Sequence, residues 1–387
     1  MNWKTLIWWL GPWCDQQKAP KNITREDFTV SALSRSFRFR VYSGSSQNGA
    51  VLVFPGLHPD GLDDERIDRF CKVLARAGAV VGVPELPTMM QSVMVPELLG
   101  DAEASAQFFA SYISELGQDT FGVFCISASS IAGLHLASHA KWSSVIGRLH
   151  LFGGFVDWVG ALRFAMTGRV PNVEPPEKIE IDPLSLPVVY MNLMRSFPQF
   201  LELESDLQRE MFERLHGYVS QSWEKPEVNH PVDTQRIAAD IFSQWERSSA
   251  VMDVDWGVVG RYFYQACALE SGGCEYVESF LDHQSTLTLP SDVQWLDVSS
   301  YLHKINTPLD ISHGRDDFVV PYSQAAQLAT QSTSESTRVF VTGLYHHTGV
   351  VSVSRLLRLL VGLPKEIWTS IRMVRALADL ADGGARN

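Results

Sequence analysis

The sequence predicts an α/β protein: a mostly parallel central sheet flanked by helices, with a mainly helical segment inserted before the last two strands. Three observations carry this. Between residues 37 and 150, short apolar runs alternate with stretches of helical period, the pattern that builds a parallel sheet covered on both faces. From Asp157 to Asp297 that alternation stops, prolines interrupt the first part (Pro171, Pro175, Pro176, Pro183) and amphipathic helical stretches follow. After Asp297 the first texture returns with two further strands. The chain is thus expected to divide into an apolar, Trp-rich segment over 1–36, a first part of the sheet domain over 37–156, a helical insertion over 157–297, and a second part with C-terminal helices over 298–387.

Each element has its own signal. "FRFRVYSG" alternates as a half-buried strand does, whereas "GAVLVFPG" and "AVVGVPELP" are the unbroken apolar runs of strands buried on both faces. "DDERIDRFCKVLARAG" reads as a helix stopped by Gly78, and "GDAEASAQFFASYISELG" as the next one. The strand and helix of "FGVFCISASSIAGLHLAS" follow, then the strand "RLHLFGG". In the insertion, "ESDLQREMFERLHGYVSQSW" and "DTQRIAADIFSQWERSSAVM" are amphipathic. Past it come the strand of "TPLDISHGRDDFVVP", the helix "YSQAAQLATQS", the strand "STRVFVTG", the loop "LYHHTG", the helix "VSVSRLLRLLVG" and a last basic and apolar helix.

Composition narrows the function. Hydrophobic residues make up 45% and charged residues 20% of 387, enough apolar material for a sizeable core. Net charge is −12 and no Lys/Arg run occurs, which argues against nucleic acid or an anionic membrane as the main partner. Five cysteines form no CxxC pair and no disulfide framework, as expected of reduced thiols in a cytoplasmic protein. The N-terminal "MNWKTLIWWLGPWC" is far shorter than the roughly 20 apolar residues that span a bilayer. Docking on the protein's own surface is its expected fate; contact with a membrane interface, or service as an export signal, are the alternatives. No HExxH, GxGxxG or P-loop Lys pattern is present, so neither a metal nor a cofactor is expected.

The chemistry centres on Ser127, which falls between a strand and a helix in "CISASS", the setting of a nucleophile elbow. Cys125 and Ser129 occupy the positions where the G-x-S-x-G pattern has glycine. Ser129 and Ser130 are weaker choices, a helix cap is the bland role for Ser127, and Cys125 is better read as a packing residue than as a thiol nucleophile. Serine needs an adjacent base and an orienting acid. Both late strands end in suitable loops, "HGRDDFVVP" and "LYHHTG", so the order along the chain is Ser, Asp, His.

With these motifs the chain resembles the α/β-hydrolases, in particular the serine esterase and lipase-like branch with a large helical cap, over about residues 37–155 and 298–362. The resemblance implies a cofactor-independent serine hydrolase of carboxylic esters acting on a small-molecule ester. In it "VFPGLHPDG" supplies half of an oxyanion hole, "CISASS" the elbow, "HGRDDFVVP" the acid and "GLYHHTG" the histidine. It assigns Ser127 as nucleophile, Asp317 as acid (Asp316 the alternative), His347 as base (His346 the alternative), and the amides of Leu57 and Ala128 as oxyanion hole. His58 lines the pocket or merely starts the next turn. His135, His139 and His150 fall within predicted elements and rank low. A non-catalytic binding protein, and an amidase, peptidase or C–C bond hydrolase with the same triad, are the competing readings. The sequence sets no oligomeric state.

Overall fold

The computed structural model describes residues 1–10, 18–32, 35–179, 188–192, 291–345 and 362–382, together with scattered helical positions between 206 and 279. The chain forms two compact units: Met1–Val156 with Val298–Asp317 and Gln324–Asn387, and Asp157–Asp297 with Phe318–Ser323.

The first unit is built on one eight-stranded sheet: β1 (Thr24–Ala32), β2 (Arg35–Ser43), β3 (Gly49–Phe54), β4 (Ala79–Pro84), β5 (Phe121–Ile126), β6 (Ile146–Phe152), β7 (Leu309–Gly314) and β8 (Thr337–Thr342). Their order is β1-β2-β4-β3-β5-β6-β7-β8. β2 runs antiparallel to both neighbours, and every other pairing is parallel. Its helices are α1 (Trp3–Leu10), α2 (Glu65–Arg76), α3 (Pro87–Met90), α4 (Glu97–Glu115), α5 (Ser130–Ser138) and α6 (Ala140–Ser143). In the second unit lies α7 (Trp158–Thr167); α8 (Ser299–Leu302), α9 (Ser323–Gln331) and α10 (Leu363–Ala381) follow.

The apolar runs explain the middle of the sheet. β3 and β4 are buried along their whole length, and each fully buried Val or Leu contributes about 1.5–3 kcal/mol. Alternation sorts their side chains. Val51, Val53, Val81 and Val83 join a core with Leu6 of α1, Cys71 and Leu74 of α2, and Leu377 and Leu380 of α10. Gly82, between two of those valines, faces the other way, against Phe109 of α4. So α1, α2 and α10 cover one face, and α4 the opposite one.

The sheet starts earlier than the expected residue 37. β1, "TREDFTVSA", looks too charged for a strand, and most of its residues are exposed. Its charges are matched across the ladder instead: Asp27 lies opposite Arg40 and accepts from it at 2.6 and 2.8 Å, which leaves Arg40 only 3% exposed. Arg35 of β2 holds the buried Asp101 of α4 with both ends of its guanidinium. The predicted helices "DTQRIAADIFSQWERSSAVM" and "VSVSRLLRLLVG" lie outside the described residues.

Candidate active site

Ser127 sits between β5 and a single 3-10 turn, Ser127–Ser129, that leads straight into α5. Its φ is +55°, in the left-handed region that a residue with a Cβ seldom enters. Such a conformation costs of order 1–3 kcal/mol and persists only where the surroundings enforce it. The turn lifts Ser127 out of the buried strand: the side chain is half-buried, between the buried Cys125 and the buried Ala128 and Ser129.

The two residues standing at the glycine positions explain how the turn tolerates them. Ser129 Oγ accepts from the amide of Ile126 at 2.9 Å and has the carbonyl oxygens of Phe54 and Ile126 at 2.8 and 2.9 Å for its own proton. One hydroxyl thereby ties the elbow to itself and to the end of β3. Cys125 points at the helix, where Gly133 makes room; a Cβ at Gly133 would collide with its Sγ. Close strand–helix packing is kept by moving the glycine one helical turn on. Burial pushes the Cys125 thiol far above its ordinary range, so it is a packing residue and not a thiolate.

The loop after β3 passes beside the elbow. A Cβ on Gly56 would lie 3.3 Å from the Ile126 carbonyl oxygen and 3.7 Å from Ser127 Cβ. Leu57 is the next residue, so the backbone carrying its amide runs alongside Ser127, and Ala128 follows Ser127 directly. His58 serves the turn: its Nδ1 accepts from the Asp60 amide at 3.2 Å and lies 3.5 Å from Asp64 Oδ2.

At the end of β7 the two adjacent carboxylates differ. Asp317 is fully buried, while Asp316 is only half-buried. The Asp317 amide reaches back to the Gly314 carbonyl at 3.3 Å and closes the loop. His313, buried within β7, places Nε2 3.3 Å from Asp317 Oδ2. Sequence reasoning gave His313 no role; its one signal was a histidine four residues before the candidate acid. An imidazole there gives the buried carboxylate a partner.

His346 and His347 lie outside the described residues; the turn after β8 is described as far as Tyr345. Glu366, at the start of α10, accepts from Thr342 Oγ1 at 2.7 Å and from the Gly343 amide at 2.9 Å. The Leu344 amide bonds back to Thr342 Oγ1 at 3.2 Å, and the Tyr345 hydroxyl donates to the Leu10 carbonyl at 2.9 Å.

His150, His135 and His139 have other partners. His150 is buried in β6 with Nε2 2.8 Å from Ser312 Oγ, and burial pulls its pKa down to about 4. His135 and His139 lie at the far end of α5 from Ser127. With Glu103 of α4 they bring three donor atoms within 4.8 Å of one another, a grouping that motif search missed because one member comes from another helix.

Ser127 thus follows β5 and the buried Asp317 follows β7 of a split, mostly parallel sheet. The strand order and the antiparallel β2 make this the α/β-hydrolase fold. No family model matches the sequence, and no curated protein matches it. Solved structures align over most of the chain. An esterase of Pyrococcus furiosus is 11% identical over 93% of this chain and 92% of its own, with a TM-score of 0.46. An esterase of Pyrobaculum calidifontis is 14% identical over 95% and 88%, at 0.44. An acylaminoacyl peptidase of Pyrococcus horikoshii is 10% identical over 84% of this chain, at 0.43; the aligned part spans 38% of that longer protein.

Proposed function

We propose that this α/β-hydrolase is a serine esterase that cleaves carboxylic esters through an acyl-enzyme. The observation that carries the proposal is Ser127 held at φ +55° on a turn between a buried strand and a helix. A strained, partly exposed serine at that junction is the geometry of a nucleophile elbow, and an ordinary helix cap has no need of it.

In the proposed reaction Ser127 Oγ attacks the ester carbonyl carbon and passes its proton to His347. Asp317 holds the imidazole in the correct tautomer and stabilises the imidazolium without taking the proton. Negative charge develops on the carbonyl oxygen, toward which the Leu57 and Ala128 amides donate; losing one such donor typically lowers the rate about 100- to 1,000-fold. The tetrahedral intermediate expels the alcohol, which leaves with the proton from His347. Water then repeats the cycle on the acyl-enzyme. The apolar residues of the insertion over 157–297, among them Phe164, Met166 and Met191, favour esters with an apolar portion.

A fluorophosphonate probe with peptide mapping tests the reading. Stoichiometric labelling on Ser127, absent in Ser127→Ala, is expected, with loss of more than about 10⁴-fold in turnover of acyl esters. Well-folded protein that takes no label would overturn it in favour of a binding protein. Labelling with turnover of amides but not esters would move it to the amidase and peptidase class.

A further inference from the structure

The helices on one face of the sheet carry charge opposite in sign to the whole chain. α1 packs on both α2 and α10. Together they hold eight Lys and Arg against four Asp and Glu, in a protein of net charge −12. α4, on the opposite face, has four acidic residues and no basic one. The cations are scattered in the sequence and gathered by the fold, which is why counting Lys/Arg runs did not find them.

The acids among these helices are largely occupied. Glu366 is turned inward to Thr342 and Gly343, Asp379 pairs with Arg338, and Asp68 takes Tyr42 and Lys72. The outward stripe of α10 is Lys365, Trp368, Arg372 and Arg375, spaced to share one side of a helix. Lys4 and Trp8 make the exposed side of α1. Trp8 is 70% and Trp368 54% exposed. Arg375 joins the two helices, its guanidinium 4.7 Å from the Trp3 ring and 5.9 Å from that of Trp368.

We infer that this face docks the protein on an anionic lipid bilayer. The cations meet headgroup phosphates, while Trp8 and Trp368, each with an apolar ring and a polar N–H, seat in the interfacial zone where such side chains are stabilised. The acidic α4 face is repelled by the same surface and orients the molecule. Among the described residues no helix is long and apolar enough to cross a membrane, so the association is with the surface. The docking face adjoins the turn after β8: the last residue of α1, Leu10, accepts the hydrogen bond from the Tyr345 hydroxyl.

The test is co-sedimentation of the full chain with phosphatidylcholine vesicles, with and without about 30% phosphatidylglycerol. Binding to the anionic vesicles alone is expected, with a blue shift of tryptophan emission and release by high salt. Removing two cations in Lys365→Gln/Arg372→Gln should weaken partitioning about 30-fold, from roughly fivefold per cation. Trp8→Ala/Trp368→Ala should weaken it and abolish most of the blue shift. Thermal melts of both double variants verify that they fold. Absence of binding to anionic vesicles, or binding that both double variants leave unchanged, would overturn the inference. So would a dimer dissolved by the same substitutions without vesicle binding, which would assign the face to a second copy. Ser127→Ala should bind vesicles like the parent, so this result and that of the labelling experiment are read separately.

Discussion

The tip of β5 and the charged network across β6, β7 and β8 belong to one sheet, yet they break the rules of a sheet in opposite ways. At the tip of β5 the broken rule is conformational: Ser127 takes a left-handed backbone although it has a Cβ. Along β6 to β8 the broken rule is burial. Asp310, fully buried, sits where parallel strands ordinarily hold aliphatic residues. Arg338 grips it with two bonds of 2.6 and 2.8 Å, Arg148 lies 3.3 Å away, and the buried His150 is its cross-strand neighbour. Strain at the elbow is balanced by hydrogen bonds from one side chain, Ser129. Buried charge is balanced by a network whose members each depend on the others. The first arrangement leaves Ser127 partly exposed; the second only holds three strands in register. Damage to the elbow should therefore appear in chemistry first, and damage to the network in stability.

The largest stability effect is expected at Asp310. Asp310→Ala takes the buried carboxylate from Arg148 and Arg338 and leaves Arg338 only Asp379; breaking a buried pair in this way typically costs about 3–5 kcal/mol. Urea unfolding measures it. Fluorophosphonate labelling of Ser127 in the folded fraction should stay at the parent rate. A loss below about 1 kcal/mol, or a large fall in labelling, would erase the distinction between the two regions.

His150 adds a pH dependence to the same network. Its folded pKa is about 4, against about 6.5 when unfolded, because burial disfavours the imidazolium. Between those values the unfolded state binds the proton first. The contribution is thus complete above pH 6.5 and is lost as pH falls toward 4, amounting to about 3 kcal/mol. Carboxylates such as Asp27 and Asp63, held below their usual range by hydrogen bonds from Arg40 and Arg38 respectively, also lose stability on acidification. The informative quantity is therefore the difference between parent and His150→Gln. The parent should lose more stability than the variant from pH 6.5 to 4. Parallel pH curves would show that His150 takes its proton without unfolding.

What could be read in advance follows the same division. The buried strands were legible because apolar runs admit few other uses, and so were the ends of β5 and β7 that Ser127 and Asp317 follow. β1 was not: it fell within the segment over 1–36 read as apolar and Trp-rich, and its charges are matched only once Arg40 stands opposite Asp27. His313 was hidden for a related reason: its partner is four residues away in sequence, but only the turn after β7 brings the two side chains together. The basic face of α1, α2 and α10 was invisible because its members are spread over most of the chain. Local pattern finds elements and their ends; it does not find pairs.

Ser129 offers the finest test of the comparison, because its effect is the smallest and the most local. By pattern, serine at this position is a flaw in the elbow; in the structure its hydroxyl is the brace, bonded to the Ile126 amide and within reach of the Phe54 carbonyl. Ser129→Ala removes both links at a buried site, which should lower stability by about 1–3 kcal/mol. It should also slow labelling of Ser127, tenfold for each 1.4 kcal/mol of lost positioning. Ser129→Gly restores the patterned residue and separates the two views. If the hydroxyl is the brace, glycine should label more slowly even than alanine, having lost the same bonds and gained backbone freedom. Should glycine instead match or exceed the parent, the turn is held by strand–helix packing at Cys125 and Gly133, and Ser129 is only tolerated.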